Sequence, residues 1–452
     1  MISTKKIIRI LLFVFLPFTF VALPIDLPLH QKITLALIIM SLILWVTEAI
    51  PLYATGLLIL IVEVALLSPV LKQSVPDFDR SIFYSSFFSD TIALFMGGML
   101  LAEAIGKFHI DQWLLSKVMK SAGSGSARVL MMLLLTVAVL SMWISNTAAT
   151  ALGLILVQSL RNKIPDPINL FPFYLGIPFA ANLGGMATPV GTPPNAIAMA
   201  ILQKQNINIT FAGWMAYMLP LTLIVLFALW RILLWRYKLP ENIETGKTEN
   251  LFKWDKSVRV ILIVFFITIF LWLTSPVHGL PDGLIALLPA LVFLALGILD
   301  TSDFRSINWD VLFLVGGGMA LSAALGVTGT GALVASFLKF PGMPVILTTL
   351  IFAIAGVLLS NSMSNTATAN LILPIVAIAF AGDNIFPMLI VTMAVSSAMS
   401  LPISTPPNAL AYSSGSIPLK EMIISGSMTT AVALLTAFIP GYIWIPFLAR
   451  FI

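Results

Sequence analysis

A seven-residue pattern of hydroxyl and amide side chains occurs twice in this sequence. It reads Ser141-Met142-Trp143-Ile144-Ser145-Asn146-Thr147 and then Ser360-Asn361-Ser362-Met363-Ser364-Asn365-Thr366. A second pair follows in the same order, Gly191-Thr192-Pro193-Pro194-Asn195 and Ser404-Thr405-Pro406-Pro407-Asn408. Hydroxyl and amide carbonyl oxygens are the ligands a hard cation prefers. The NH₂ of Asn146 or Asn365 and the hydroxyls of Thr147 and Thr366 can instead donate to an anion. Each Pro-Pro pair removes two successive amide donors, so a helical ladder is expected to stop there. Carbonyls before such a break are left for a cation, and the helix N-terminus after it for an anion.

The charges around these stretches sharpen the chemistry. Between Val129 and Leu202 only Arg161, Lys163 and Asp166 are charged, and between Pro341 and Leu419 only Asp383. No Lys or Arg is placed to neutralise an anion at either tip. A doubly charged substrate would need co-bound cations or helix dipoles to offset it, which makes cation coupling physically natural. Taken singly, Ser-Asn-Thr after an apolar run is an ordinary helix cap, and Thr-Pro-Pro-Asn an ordinary turn. Both motifs duplicated in register argue for a site.

The elements that must position them are membrane segments. Of 452 residues 59% are hydrophobic and 10% charged, against about a quarter charged in soluble domains. Apolar runs of membrane-spanning length recur throughout, so the fold class is an all-α polytopic membrane protein. Cysteine is absent, which excludes disulfides, iron–sulfur clusters and thiolate zinc sites. His30, His109 and His278 are scattered, so no transition-metal site is expected. The net charge of +5 reflects topology bias and gives no reason to expect nucleic acid as a partner. An intramembrane enzyme would need a nucleophile–base pair or a metal cluster, and neither Asp nor His pairs occur at suitable spacing.

Eleven spans are expected, the first at 7–22 and the next three at 33–46, 53–71 and 91–105. The amphipathic stretch 107–128 lies along the interface. A fifth span, 171–202, is broken near Thr188–Asn195, and a sixth covers 211–234. After a polar linker at 241–256 come spans at 260–273, 283–299 and 311–325. A tenth, 386–412, is broken at Ser404–Asn408, and the eleventh is 423–448. The arms around each Ser-Asn-Thr, within 129–160 and 345–380, reach roughly 20–24 Å, short of a core about 30 Å thick. They are read as re-entrant hairpins rather than crossings.

Ser145 and Ser364 are 219 residues apart, Gly98 and Gly318 220, and Thr192 and Thr405 213. One order at nearly one offset indicates duplication. Five crossings between the hairpins invert the second half, so 1–240 and 257–452 are inverted repeats, the architecture of many secondary transporters. Eighteen of the 24 basic residues fall on the side assigned as inside. That places the N-terminus and the 129–160 hairpin in the cytoplasm, the C-terminus and the 345–380 hairpin outside, and the chain in the cell (inner) membrane. Gly97-Gly98 and Gly316–Gly318 are read as helix-packing positions, not phosphate loops. Glu48, Glu63 and Glu103 lie in or beside spans. Glu63 looks the most buried and is open to two readings, helix packing or proton relay.

The paired Ser-Asn-Thr hairpins, the Thr-Pro-Pro-Asn breaks, Trp45-Val46-Thr47-Glu48-Ala49-Ile50-Pro51 and Trp309-Asp310 together resemble the divalent anion/sodium symporter family over essentially the full length. That family includes bacterial dicarboxylate and citrate carriers and animal sodium–carboxylate and sodium–sulfate cotransporters. The resemblance implies a homodimer in which a scaffold domain supports a transport domain that moves as an elevator. It implies one sodium ion at Ser141, Ser145, Asn146 and the carbonyl of Gly191. It implies a second at Ser360, Asn365 and the carbonyls of Met363 and Ser404. Substrate would touch Asn146, Thr147, Thr192, Asn365, Thr366, Thr405 and Pro406. The expected activity is transport of C4-dicarboxylates or related di- or tricarboxylates with sodium. Carboxylate exchange and sulfate transport on the same fold stay open.

Overall fold

In lipid a backbone must satisfy its own hydrogen bonds, which leaves helices as the economical element for so apolar a chain. The computed structural model describes residues 4–75, 77–161, 167–243, 252–338, 343–380 and 385–450. Among these residues it is helical, with one isolated antiparallel bridge between Gly125 and Asn242. Lys163, Asp166, Lys247, Lys339, Asp383 and half of the 241–256 linker (244–251) lie outside the described residues.

Eight described helices are long and apolar enough to cross a membrane, from Leu29–Thr47 to Leu419–Phe438. The expectation of eleven spans also counted shorter pieces. The first is Thr4–Phe15 continued by a 3-10 turn, Leu16–Ala22, with Pro17 at the junction. The eighth is only Asp282–Ala295, and the eleventh divides at Pro440. Conversely, one hairpin arm, Val345–Ser362, has 18 residues and is longer than expected.

The two halves cross at glycines. An added Cβ on Gly97 would stand 2.1 Å from the carbonyl oxygen of Ala286, and one on Gly317 would stand 2.2 Å from Gly56 Cα. These are backbone-to-backbone approaches that only glycine allows, so the packing reading of both motifs holds. In the same way Gly184 lies against Ala138, binding the broken fifth helix to the first hairpin.

Hydrogen bonds at the ends of Phe211–Arg236, a 26-residue helix about 39 Å long, define two faces. At its start the Phe211 amide donates to Asp282 Oδ2 (2.6 Å), and Gly283 to Asp90 Oδ1 (3.1 Å). Thr91 meets Gln203, and Gln205 donates to the Ala377 carbonyl (2.8 Å), near the end of the second hairpin. At the other end Trp230 donates to the Ala127 carbonyl (3.0 Å), and the Ser126 amide to Glu241 (3.2 Å), at the start of the first hairpin. The hairpins therefore enter from opposite faces, as inverted repeats require.

Candidate functional site

The first hairpin turns between Ser126–Ser141 and Asn146–Arg161, the second between Val345–Ser362 and Asn365–Ala379. Each return arm begins with a serine cap. Ser145 Oγ accepts from the Ala148 amide (3.2 Å) and Ser364 Oγ from Ala367 (3.1 Å). Capping is thus part of what the motif does, and it fixes where the next two residues, Asn and Thr, point.

Behind each cap sits a cluster of oxygens with few protons. Ser141 Oγ is 2.5 Å from Asn146 Oδ1 and 2.8 Å from the Ala181 carbonyl. Ser360 Oγ repeats this, 2.5 Å from Asn365 Oδ1 and 3.0 Å from the Val395 carbonyl. In each cluster one hydroxyl proton serves two acceptors. The serine and asparagine side-chain oxygens of each cluster thus lie side by side, an arrangement a small hard cation relieves. A Cβ on Gly185 would meet Asn146 Oδ1 at 2.5 Å and the Gly191 carbonyl at 2.9 Å. Glycine there lets the Gly191 carbonyl come up beside Asn146.

The breaks differ from expectation in one respect. The helix Phe171–Met186 stops before the prolines and Pro193–Lys204 starts on them; likewise Phe386–Ser396 stops and Pro406–Ser413 starts. The Pro-Pro pairs therefore open the second helix of each break rather than stop the first. At first-turn positions the missing N–H is no loss, because it would have no partner within the helix. The prolines also withhold two of the amides an anion would seek there. The amides that follow are engaged, Asn195 with the Thr192 carbonyl (3.1 Å) and Asn408 with Thr405 Oγ1 (3.3 Å).

The asparagines of the breaks are braces rather than liners. Asn195 Nδ2 reaches the carbonyls of Gly185, Met186 and Thr188. Asn408 Nδ2 reaches those of Met399 and Leu401 and the Ser404 hydroxyl. Each ties a non-helical stretch back onto itself. Thr188 donates to the Met142 carbonyl (2.6 Å), and Asn361 Oδ1 accepts from the Ser400 amide (3.0 Å), so each tip is also tied to its break.

A cavity of about 660 Å³ joins the two halves. Its walls include Asn146, Thr147, Thr192, Asn365, Thr366, Thr405 and Pro406, all seven residues named as substrate contacts, together with Ser145, Gly191 and Ser404. Ser141, Ser360 and Met363 are buried and do not line it. The cavity extends to Glu103, Gly106, Lys107 and Asp111, and so opens on the face where the first hairpin starts. There Lys107 is paired with Asp303 (2.5 Å) and Asp300 (3.5 Å).

Sequence reasoning missed Asn182 and Gly185. Asn182 lines the cavity, and its NH₂ donates to Thr405 Oγ1 and Asn408 Oδ1, both at 3.1 Å, linking the broken helices of the two repeats. An uncharged amide in the middle of the 171–202 apolar run was the available signal.

Comparison with known proteins identifies the family. The profile described as a citrate transporter family matches residues 42–392. The chain belongs to that family. Members of this family are transporters rather than enzymes, and the chain is a multi-pass membrane protein. A sodium-dependent dicarboxylate transporter of Staphylococcus saprophyticus is 30% identical, covering 89% of this chain and 84% of that protein. An uncharacterized transporter of Haemophilus influenzae is 32% identical, covering 91% of each. The YdaH transporter of Alcanivorax borkumensis, a solved structure, superposes with a TM-score of 0.60 at 15% identity, over 88% of this chain and 99% of that one. It shares the fold. The resemblance drawn from the motifs is borne out.

Proposed function

We propose that this member of the citrate transporter family is a secondary carrier of C4-dicarboxylates or related di- and tricarboxylates, driven by sodium. The observation that carries the proposal is the repeated Ser–Asn oxygen cluster, one behind each hairpin tip, on either side of a single cavity. Two sodium ions at these clusters would supply the positive charge that the tips lack. The first would be held by Ser141, Ser145, Asn146 and the Gly191 carbonyl, the second by Ser360, Asn365 and the carbonyls of Met363 and Ser404. The carboxylates would rest between Asn146, Thr147, Asn365 and Thr366, with Thr192, Thr405 and Pro406 forming the floor. Relatives named sodium-dependent dicarboxylate transporters support this choice of ion and substrate.

The cycle would be an elevator. The hairpins and the broken helices, 126–238 and 345–448, move together as the transport domain against a scaffold made of the remaining spans, with two chains forming a homodimer. The first hairpin would face the cytoplasm, together with the N-terminus, and the C-terminus would lie outside, in the cell membrane. The cavity drawn here would then be open to the cytoplasm.

Uptake of labelled succinate into proteoliposomes tests the reading. A sodium gradient should drive accumulation, and collapse of the gradient should abolish it. Uptake that depends on preloaded carboxylate and ignores sodium would make the protein an exchanger. Competition by sulfate but not by citrate or malate would move the substrate class.

A further inference from the structure

The amphipathic helix that leads into the first hairpin, Ile110–Ser121, has an outer side that the cavity does not use. Ile110, Asp111, Leu115 and Met119 form its buried side, and Asp111 reaches the cavity wall. Trp113, Lys117 and Lys120 recur at i, i+4 and i+7 and so share the opposite side. Against Trp113 stand two rings from the far end of the linker. Phe252 stacks on it at 5.3 Å, and Trp254 meets both edge-on, at 5.5 Å from Trp113 and 5.0 Å from Phe252. The near end of the linker is fastened close by, where the Ile243 amide donates to the Ser124 carbonyl (2.7 Å).

The three rings lie at the level of the membrane surface. Phe252 and Trp254 come just before the Lys256–Leu273 span, and Trp254 is 57% exposed. A tryptophan left so open is favoured at the boundary between lipid and water. The Phe211–Arg236 helix ends on this same face, with Trp235 exposed beside its last residue. Around the rings the exposed side chains are cationic, namely Lys117, Lys120, Lys253 and Lys256. Lys117 Nζ is held 5.4 Å above the Trp113 ring, which fixes its ammonium beside the aromatic surface. Among the described residues none of the four is in an ion pair. Asp255, the acid between Lys253 and Lys256, is turned to the helix start, where it accepts from the Val258 amide (2.8 Å).

We propose that this patch binds the headgroup of an anionic phospholipid. The lipid phosphate sits among the ammoniums of Lys117, Lys253 and Lys256, and its glycerol and first methylenes lie against Trp113 and Trp254. Both halves of that chemistry are needed. Ammoniums alone attract any phosphate, and rings alone attract any lipid. Aromatic surface beside unpaired ammoniums at the membrane surface selects a phosphate that carries acyl chains. Bound there, the lipid bridges the Ile110–Ser121 helix and the start of the Lys256–Leu273 span. It thereby fastens the approach to the first hairpin to the bilayer surface. The inference does not rest on which solute is transported.

The test is thermal unfolding of the full chain in dodecyl maltoside as phosphatidylglycerol is added, with phosphatidylcholine of the same acyl chains as the reference. Phosphatidylglycerol should raise the melting temperature saturably by several degrees, and phosphatidylcholine should not. Lys117→Gln, Lys253→Gln and Lys256→Gln should each raise the lipid concentration for half the shift about fivefold, with the melting temperature in detergent alone unchanged. A variant that fails to fold leaves the other two to decide. Arg231→Gln/Lys238→Gln, which removes two exposed cations elsewhere on the same face, should leave the titration where it is. An equal shift of the titration by this control would mean diffuse attraction to a basic face. Equal stabilisation by phosphatidylcholine would mean a neutral lipid, and a full shift with inorganic phosphate or glycerol phosphate alone would mean a free anion. Each of these outcomes overturns the proposal, as does a titration that the lysine variants leave unmoved. Neither sodium nor carboxylate enters the measurement, so failure here leaves the transport reading standing.

Discussion

At the scale of single residues, the site depends on oxygens held close together with too few protons. Removing one oxygen from a cluster should weaken the cation and leave the anion's donors in place. Ser141→Ala and Ser360→Ala are each expected to raise the sodium concentration for half-maximal uptake about tenfold, a change of about 1.4 kcal/mol, read from sodium titrations of succinate uptake. Gly185→Ala is expected to abolish uptake, because its Cβ would occupy the space of Asn146 Oδ1 and the Gly191 carbonyl. Protein recovered in normal amount but inactive would be the signature. The candidate residues were legible because hydroxyls and amides stand out in apolar sequence and their repetition marks them. Gly185 was not, because a glycine's role lies in what approaches it, and nothing in Gly-Gly-Met reveals an asparagine from another helix.

At the scale of elements, the glycine crossings set how closely the helices meet. Gly317→Leu should push Trp309–Val327 away from Leu52–Val62, with destabilisation of about 1–3 kcal/mol or more, seen as a lower melting temperature in detergent. The Pro-Pro pairs show what spacing could and could not say. Their place in the sequence located both breaks, but a proline pair reads alike as the end of one helix or the start of the next. The structure puts them at the start, so Pro193→Ala should leave the melting temperature nearly unchanged. At the cavity mouth, hydrogen bonds from the Ser302 hydroxyl and from the Asp303 and Ser302 amides hold the Asp300 carboxyl down to about 2. A carboxyl whose acidity is raised on folding contributes above its unfolded value and loses that contribution as pH falls toward 2. Asp300 therefore stays ionised at every pH suited to transport assays, and variation of uptake near neutrality must originate elsewhere.

At the scale of the whole molecule, two repeats that entered the membrane from opposite faces bring chemically equivalent tips to one cavity. The inversion was legible from an odd number of crossings between the hairpins. The cavity's opening on one face was not, since duplicated sequence is symmetric and a single conformation is not. The cavity unites the tips, so neither repeat can serve alone. The direct test is uptake of labelled succinate into sodium-energised proteoliposomes by the unaltered protein, Asn146→Ala and Asn365→Ala. One shared site requires that either substitution reduce uptake to the level of empty vesicles while the protein still folds and inserts. Near-normal uptake by either variant would mean that its tip is structural, and would contradict the account.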